Sequence, residues 1–96
     1  MARYVLLLKW TEQGIKNVKE TVKRAEAAKA LFEKAKARMS GCVWTLGPYD
    51  LVINAEAPDD ETITALAISL GKLGNVTTTT MRAYDETEMG KILQKV

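Results

Sequence analysis

The sequence predicts an α+β domain of the ferredoxin-like type, in which four antiparallel strands form one sheet and helices cover one of its faces. Three observations support this prediction. Four segments have the composition of strands, two longer segments between them have helical periodicity, and the pair Gly47-Pro48 breaks the chain between the second and third strands. The predicted order is β-α-β-β-α-β with a C-terminal helix, and the 96 residues fit a single domain, 1–96.

The first strand is predicted from Arg3 to Trp10, where apolar residues are nearly continuous. Both faces of this strand are therefore apolar, although the helices of such a small domain cover only one face of the sheet. We expect a second subunit to cover the other face, so that two sheets pack against each other in a barrel-like dimer.

The first helix is predicted from Ile15 to between Lys36 and Arg38, with Thr11 as a candidate cap before it. Lysines separate its apolar positions and are expected on the solvent side. The apolar side is predicted to consist of Ile15, Val18, Val22, Ala25, Ala28, Phe32 and Ala35.

The second and third strands are predicted at Met39–Leu46 and Leu51–Ala57, joined by a turn at Gly47 and Pro48. Period-two alternation separates two faces on each strand. The second strand is predicted to carry Ser40, Cys42, Trp44 and Leu46 on one face and Met39, Gly41, Val43 and Thr45 on the other. The third is predicted to place Leu51, Ile53, Ala55 and Ala57 under the helices, and Asp50, Val52, Asn54 and Glu56 towards water, a partner or a pocket.

The second helix is predicted to begin at the cap Asp59 and to end near Gly71, Gly74 and Asn75. The fourth strand, Val76–Ala83, contains four successive threonines, which are β-branched and favour strand. Asp85 and Glu88 have the spacing of a capping box at the start of the last helix. The apolar face of that helix is predicted to be Met89, Ile92, Leu93 and Val96.

The composition is that of an ordinary globular protein, with 47% hydrophobic and 27% charged residues. No apolar run approaches the ~20 residues that span a bilayer, and the N-terminal apolar run is too short for a secretory signal. We therefore expect a cytoplasmic protein without a membrane partner. Cys42 is the only cysteine, and its place in an apolar strand predicts an inert buried thiol rather than a nucleophile.

The charge is unevenly distributed, because residues 1–38 have a balance of +6 and residues 39–96 a balance of −4. The lysines of the first helix alternate with Glu20, Glu26 and Glu33. This alternation favours a solvated helix face over a nucleic-acid surface.

Several motifs together resemble the GYD-domain family, whose name describes glycine, tyrosine and aspartate at a turn. The matching segments extend along nearly the whole chain: Thr11-x-x-Gly14-Ile15, Arg24-Ala25-Glu26-Ala27, Gly47-Pro48-Tyr49-Asp50, Ala57-Pro58-Asp59-Asp60, Leu73-Gly74-Asn75-Val76, Thr78-x-Thr80 and Arg82-Ala83-Tyr84. The resemblance implies a ferredoxin-like fold in a dimeric α/β barrel, with a biochemical role that is largely unassigned. A weaker resemblance to the ligand-sensing domain of leucine-responsive regulators implies small effectors bound at subunit interfaces.

Two residues depart from the family pattern. Lys36 stands where a glycine is expected to end the first helix, and Thr77 stands where arginine is frequent. A lysine in a left-handed cap is unfavourable. One hypothesis that explains these departures is that the surface of the chain has been redesigned for self-assembly.

The chemistry of a site is harder to predict, because the chain has no histidine, no metal-ligand cluster, no phosphate loop and no catalytic triad pattern. We therefore predict neither a metal nor a cofactor. If the polar sides of strands three and four meet, a small polar ligand would contact a set of candidate residues. The candidates are Tyr49, Asp50, Asn54, Thr78, Thr80 and Arg82, with Glu56 as a further acid.

Each candidate also has a structural interpretation. Asp50 can accept backbone hydrogen bonds at the turn, the threonines can satisfy one another, and Arg82 can pair with an acid across an interface. Tyr49 is more consistent with packing at an interface than with catalysis.

Three functions remain open from the sequence. The first is a homo-oligomeric module that binds a small molecule at or near the interface between two sheets. The second is a structural or assembly subunit, natural or engineered, and the third is a cofactor-free oxygenase or isomerase of the dimeric-barrel type.

Overall fold

The computed structural model describes all residues, Met1–Val96, and confirms the predicted order of strands and helices. A 3-10 turn at Val18–Glu20 separates the first two helices. The elements are β1 Ala2–Trp10, α1 Glu12–Lys16, α2 Thr21–Lys34, β2 Arg38–Trp44, β3 Leu51–Ala57, α3 Asp60–Lys72, β4 Val76–Ala83 and α4 Glu86–Leu93.

The four strands form one antiparallel sheet in the order β2-β3-β1-β4, so the first and third strands are central. Leu6 of β1 lies opposite Ile53 of β3 and Thr80 of β4. Strands β1 and β4 therefore share the even-numbered residues on one face, together with the odd-numbered residues of β3. This arrangement confirms the predicted ferredoxin-like topology.

The hydrophobic core lies between this face of the sheet and helices α2 and α3. Phe32 of α2 and Leu6 of β1 are completely buried at its centre. The predicted inward face of β3 is confirmed, because each of its four residues is buried. These four are Leu51, Ile53, Ala55 and Ala57.

The first predicted helix is wrong as a single element, because the chain breaks at Asn17 between α1 and the 3-10 turn. Asn17 donates its side-chain amide to the carbonyl of Gln13, which ends α1. Ile15 of α1 and Val22 at the start of α2, both predicted on the apolar side, are 49% and 55% exposed. Helix α1 is instead held against the loop before β4.

Close backbone contact holds α1 in this place. A Cβ on Gly14 would lie 1.9 Å from the carbonyl oxygen of Asn75, so only glycine fits at this crossing. Thr11 caps α1 as predicted and also donates its hydroxyl to the carbonyl of Gly74.

The predicted faces of β2 are wrong at its start, because a register shift lies between Met39 and Gly41. The extra residue of this bulge places Met39 on the helix side of the sheet with Cys42 and Trp44. The strand also ends at Trp44, and Leu46, predicted within it, is fully exposed in the turn that follows.

The ends of the helices follow the sequence signals. The side chain of Asp59 caps α3, and Asp85 and Glu88 form the predicted capping box of α4. Lys36 has a φ of 62° after α2, which is the left-handed conformation expected of a glycine there. Helix α3 ends at Lys72, one residue after Gly71 and shortly before Gly74, as predicted.

The face of the sheet opposite the helices, which we call the open face, carries a stripe of apolar residues. This stripe includes Val5, Leu7, Val43, Val52 and Met81, and Asn54 lies on the same face. Arg3 and Arg38 flank this stripe, and both pair with Glu56. Helix α4 also lies on the surface and has no buried residue. None of the four helices has the length and apolar character needed to cross a membrane.

Candidate functional site

A cavity of about 420 Å³ lies between the sheet and helices α2 and α3. Most of the residues around it are hydrophobic and come from both layers of the domain. They include Leu8, Leu51 and Ile53 of the sheet, Ala28 and Leu31 of α2, and Leu70 of α3. The cavity therefore continues the hydrophobic core into a space that side chains do not fill.

Small side chains on α2 account for this space. The helix presents Ala25, Ala27 and Ala28 to the cavity, and alanine has no atoms beyond Cβ to fill the gap above the sheet. A core packed to the usual density leaves few voids larger than a water molecule. A space of about 420 Å³ is far larger than such a void.

Trp10, the last residue of β1, lines the cavity and has an unusual hydrogen-bonding state. Its indole nitrogen Nε1 is buried and has no acceptor within reach. The other tryptophan differs, because Trp44 donates its indole N–H to the hydroxyl of Thr21 at 3.0 Å. A buried indole donor normally has a partner, so Trp10, a residue that lines the cavity, carries a donor that no protein group uses.

The turn that contains the glycine, tyrosine and aspartate fixes the backbone of Trp10. Oδ2 of Asp50 accepts a hydrogen bond from the backbone N–H of Trp10 at 2.9 Å. The backbone N–H of Asp50 donates in turn to the carbonyl of Leu8 at 2.8 Å. Asp50 thus extends the pairing of β1 and β3 by one step and holds the end of β1 next to the cavity.

The turn itself is closed by Thr45. The backbone N–H of Thr45 donates to the carbonyl of Asp50 at 2.9 Å, and its hydroxyl donates to the carbonyl of Tyr49 at 2.6 Å. Gly47 has a φ of 121°, which a residue with a side chain rarely adopts. Pro48 follows it on the exposed surface. The backbone conformation and hydrogen bonds of this turn therefore fix the position of Asp50.

Two basic residues complete the cavity lining. Arg24 of α2 is half-buried and donates from Nη2 to the carbonyl of Gly14 at 3.2 Å, and Lys72 ends α3. Neither side chain belongs to an ion pair of the chain. No Asp, Glu, His or Cys lines the cavity. The electrostatic character of the site is consequently positive.

The structure divides the residues that were predicted to form a polar site. Tyr49 and Asp50 lie at the turn, and Asn54 is exposed on the open face. Thr78, Thr80 and Arg82 lie on the helix side of β4. A common site requires the polar sides of β3 and β4 to share one face of the sheet. Within one subunit they lie on opposite faces.

Arg82 is engaged by several groups of its own chain. Its guanidinium lies 4.5 Å from the ring centroid of Tyr84 and 5.6 Å from that of Tyr4. It pairs with Glu88 of α4 at 3.5 Å and donates to the backbone carbonyls of Arg3 and Ala83. Arg82 therefore connects the edge strand β4 to the start of α4.

Tyr4 lies beneath Arg82 and is 2% exposed. Its hydroxyl donates to Oδ1 of Asp60 at 2.5 Å. Burial, reinforced by this hydrogen bond, raises the pKa of Tyr4 to about 12. Tyr4 is thus a neutral structural donor at ordinary pH.

The other polar groups add no separate site. Thr80 has a buried hydroxyl without a partner, but Thr80 does not line the cavity. Burial raises the pKa of the half-buried Cys42 thiol, as expected for an inert cysteine. No group of three His, Cys, Asp or Glu side chains could hold a metal ion.

Trp10 and Arg24 are functional candidates that the sequence did not identify. The available signals were a tryptophan on the same face of β1 as Leu6 and Leu8, and alanines on the inner side of α2. Neither signal belongs to a sequence motif. The cavity becomes apparent only when α2 is placed above the sheet.

Comparison with known families gives a match to the GYD domain over residues 4–93, which is nearly the whole chain. A comparison with curated proteins finds no match.

Proposed function

The chain belongs to the GYD domain family, and we propose that it is a module that binds a small, mainly apolar molecule in the cavity between the sheet and helices α2 and α3. The observation that carries this proposal is the indole N–H of Trp10, which is buried in the cavity wall without an acceptor. The proposed site lies inside one subunit, not between two sheets.

The size and lining of the cavity support a small-molecule ligand. Its volume of about 420 Å³ falls within the ~300–1,000 Å³ of typical small-molecule pockets. Such pockets are mainly apolar with a few polar groups that fix the orientation of the ligand. Leu31, Leu51 and Ile53 would contact the apolar part, while Trp10 would donate to one acceptor atom.

A buried donor without a partner costs roughly 1–3 kcal/mol. A ligand that brings an acceptor to Nε1 of Trp10 recovers this free energy, whereas a purely apolar ligand does not. The cavity lining contains no carboxylate, imidazole or thiol that could take a proton from a substrate. The geometry therefore supports binding, and we propose no reaction.

The proposal can be tested with octan-1-ol as a neutral probe that has an apolar chain and one oxygen acceptor. We expect calorimetry to show binding to the wild-type protein and strongly reduced binding to Ala25→Leu, which places extra atoms in the cavity. Ala30→Leu is the matched control, because Ala30 lies on the same helix, is exposed and does not line the cavity.

The two variants give a clear decision. Binding that is lost in Ala25→Leu and retained in Ala30→Leu supports the cavity as the site. Equal binding of octan-1-ol to both variants would reject the proposed function.

We further propose that the open face packs against a second copy of the chain. The supporting observation is that Val43 and Met81 are 55% and 43% exposed next to the half-buried Val5, Leu7 and Val52. Contiguous exposed apolar patches on globular proteins frequently mark interaction surfaces. Because a two-fold dimer uses the same patch on both subunits, this stripe would bury itself against its own copy.

Light scattering after size-exclusion chromatography tests the dimer. We expect Val43→Asp to shift the wild-type dimer to monomer, because the charge would lie within the paired stripe. Ile68→Asp is the control, since Ile68 is 62% exposed on α3, away from the open face. A monomeric wild-type protein, or a dimer that survives Val43→Asp, would contradict this part of the proposal.

A further inference from the structure

We infer that the ligand of the cavity is a small apolar carboxylic acid bound in its ionised form. This inference rests on the proposed function and adds the chemical class of the ligand.

The first argument is the charge of the cavity lining. Arg24 and Lys72 both line the cavity, and none of the 12 acidic residues of the chain does so. Neither cation has an acidic partner elsewhere in the chain. Arg24 has five N–H donors, and its protein hydrogen bond is the one from Nη2 to the carbonyl of Gly14. Its guanidinium therefore retains donors for an anion.

The second argument is the balance of donors and acceptors. Trp10 offers a donor without a partner. Thr21 already accepts from the indole of Trp44, so its own proton is free to be donated. Each of these groups, like Arg24 and Lys72, can donate to a ligand acceptor, and an ionised carboxylate only accepts hydrogen bonds.

The other polar residues of the lining are already engaged. Ser69 donates its hydroxyl to the carbonyl of Ala65 at 2.8 Å. The side-chain oxygen of Asn75 accepts from Gln13 at 2.9 Å. An acid with an apolar body is therefore a better match than a polar molecule such as a sugar, which would leave several hydroxyl donors facing Leu8, Leu51 and Ile53.

The experiment compares octanoate with octan-1-ol, two probes that share a chain length and differ in charge. We expect octanoate to bind the wild-type protein about tenfold more tightly, since hydrogen bonds to a charged group contribute more than neutral ones. Arg24→Met should reduce this preference to near unity, and Arg24→Lys should keep part of it. High ionic strength should also weaken the preference, because Arg24 is only half-buried.

Lys29→Met is the matched control, because Lys29 lies on the same helix, is exposed and does not line the cavity. This variant removes the same charge and should keep the full preference for octanoate. Lys72→Met provides a second test that does not disturb the hydrogen bond from Arg24 to Gly14, and it should lower the affinity for octanoate more than that for octan-1-ol.

The outcomes separate this inference from the proposed function. Equal affinities for the two probes in the wild-type protein, or a preference that both Arg24→Met and Lys72→Met retain, would overturn the carboxylate class and leave the cavity as a binding site. Failure of both probes to bind would reject the proposed function itself.

Discussion

The carboxylate of Asp50 accepts a hydrogen bond from the backbone N–H of Trp10 at 2.9 Å, across the end of the sheet. This contact connects the turn that gives the family its motif to Trp10, a cavity-lining residue whose indole N–H has no partner. Asp50 does not itself line the cavity. The structural role of the aspartate of the motif is therefore to position the backbone of Trp10.

Asp50→Ala removes the acceptor and leaves the half-buried N–H of Trp10 unsatisfied. We expect a loss of roughly 1–3 kcal/mol in the free energy of unfolding, measured by urea denaturation. The same variant should bind octan-1-ol more weakly, because the end of β1 is no longer fixed. Asp50→Asn, which retains a side-chain oxygen, should lose less of both. Wild-type affinity in a folded Asp50→Ala protein would contradict the positioning role.

Gly14→Ala should destabilise the protein, because its Cβ would lie 1.9 Å from the backbone oxygen of Asn75. Overpacking of this kind costs roughly 1–3 kcal/mol. Gly71→Ala is the control, since nothing lies within 4 Å of its Cβ inside α3. There alanine should stabilise the helix by about 0.5–1 kcal/mol. Opposite shifts in melting temperature for the two variants would establish the close crossing of α1 and the loop before β4.

Lys36→Gly should stabilise the protein. Lys36 has a φ of 62°, and a left-handed conformation costs an ordinary residue about 1 kcal/mol or more. Lys34→Gly, two residues earlier and within α2, should instead lower the free energy of unfolding by about 0.5–1 kcal/mol. A destabilised Lys36→Gly protein would show that the lysine side chain makes a favourable interaction at this helix end.

The alkaline stability of the protein should depend on Tyr4. Burial and the hydrogen bond to Asp60 raise the pKa of Tyr4 from 10.0 to about 12. The folded protein holds the phenol proton more tightly than the unfolded chain does. This contribution to stability is therefore complete below pH 10 and is lost as the pH rises towards 12.

A shift of this size corresponds to roughly 2–3 kcal/mol. In Tyr4→Phe that part of the alkaline loss should be absent from urea denaturation curves recorded across this pH range. Tyr84→Phe, which alters an exposed tyrosine, should behave as the wild-type protein does. Identical alkaline profiles for Tyr4→Phe and the wild-type protein would refute the link.

Local signals in the sequence predicted most of the fold. Period-two alternation identified the inward face of β3, and the spacing of Asp85 and Glu88 identified the capping box of α4. Each of these features depends on a few neighbouring residues, so the sequence contains it directly.

The features that the sequence did not predict arise from contacts between distant segments. The break at Asn17 separates α2 from α1, whose Gly14 packs against Asn75, and the bulge at Ser40 depends on pairing with β3. The candidate site was missed for the same reason. The cavity is a space between α2 and the sheet, which no sequence pattern marks. The polar residues predicted as site candidates on β3 and β4 lie on opposite faces of the sheet.

The most direct test of the central claim is the indole N–H signal of Trp10 in a proton–nitrogen correlation spectrum during titration with octanoate. The chain has two tryptophans, and Trp44 provides an internal reference because its indole is already bonded to Thr21. We predict a downfield shift of the Trp10 indole proton that saturates with octanoate, while the Trp44 signal remains nearly unchanged. Saturable octanoate binding that leaves the Trp10 signal in place, or moves only that of Trp44, would contradict the assignment of the cavity as the site.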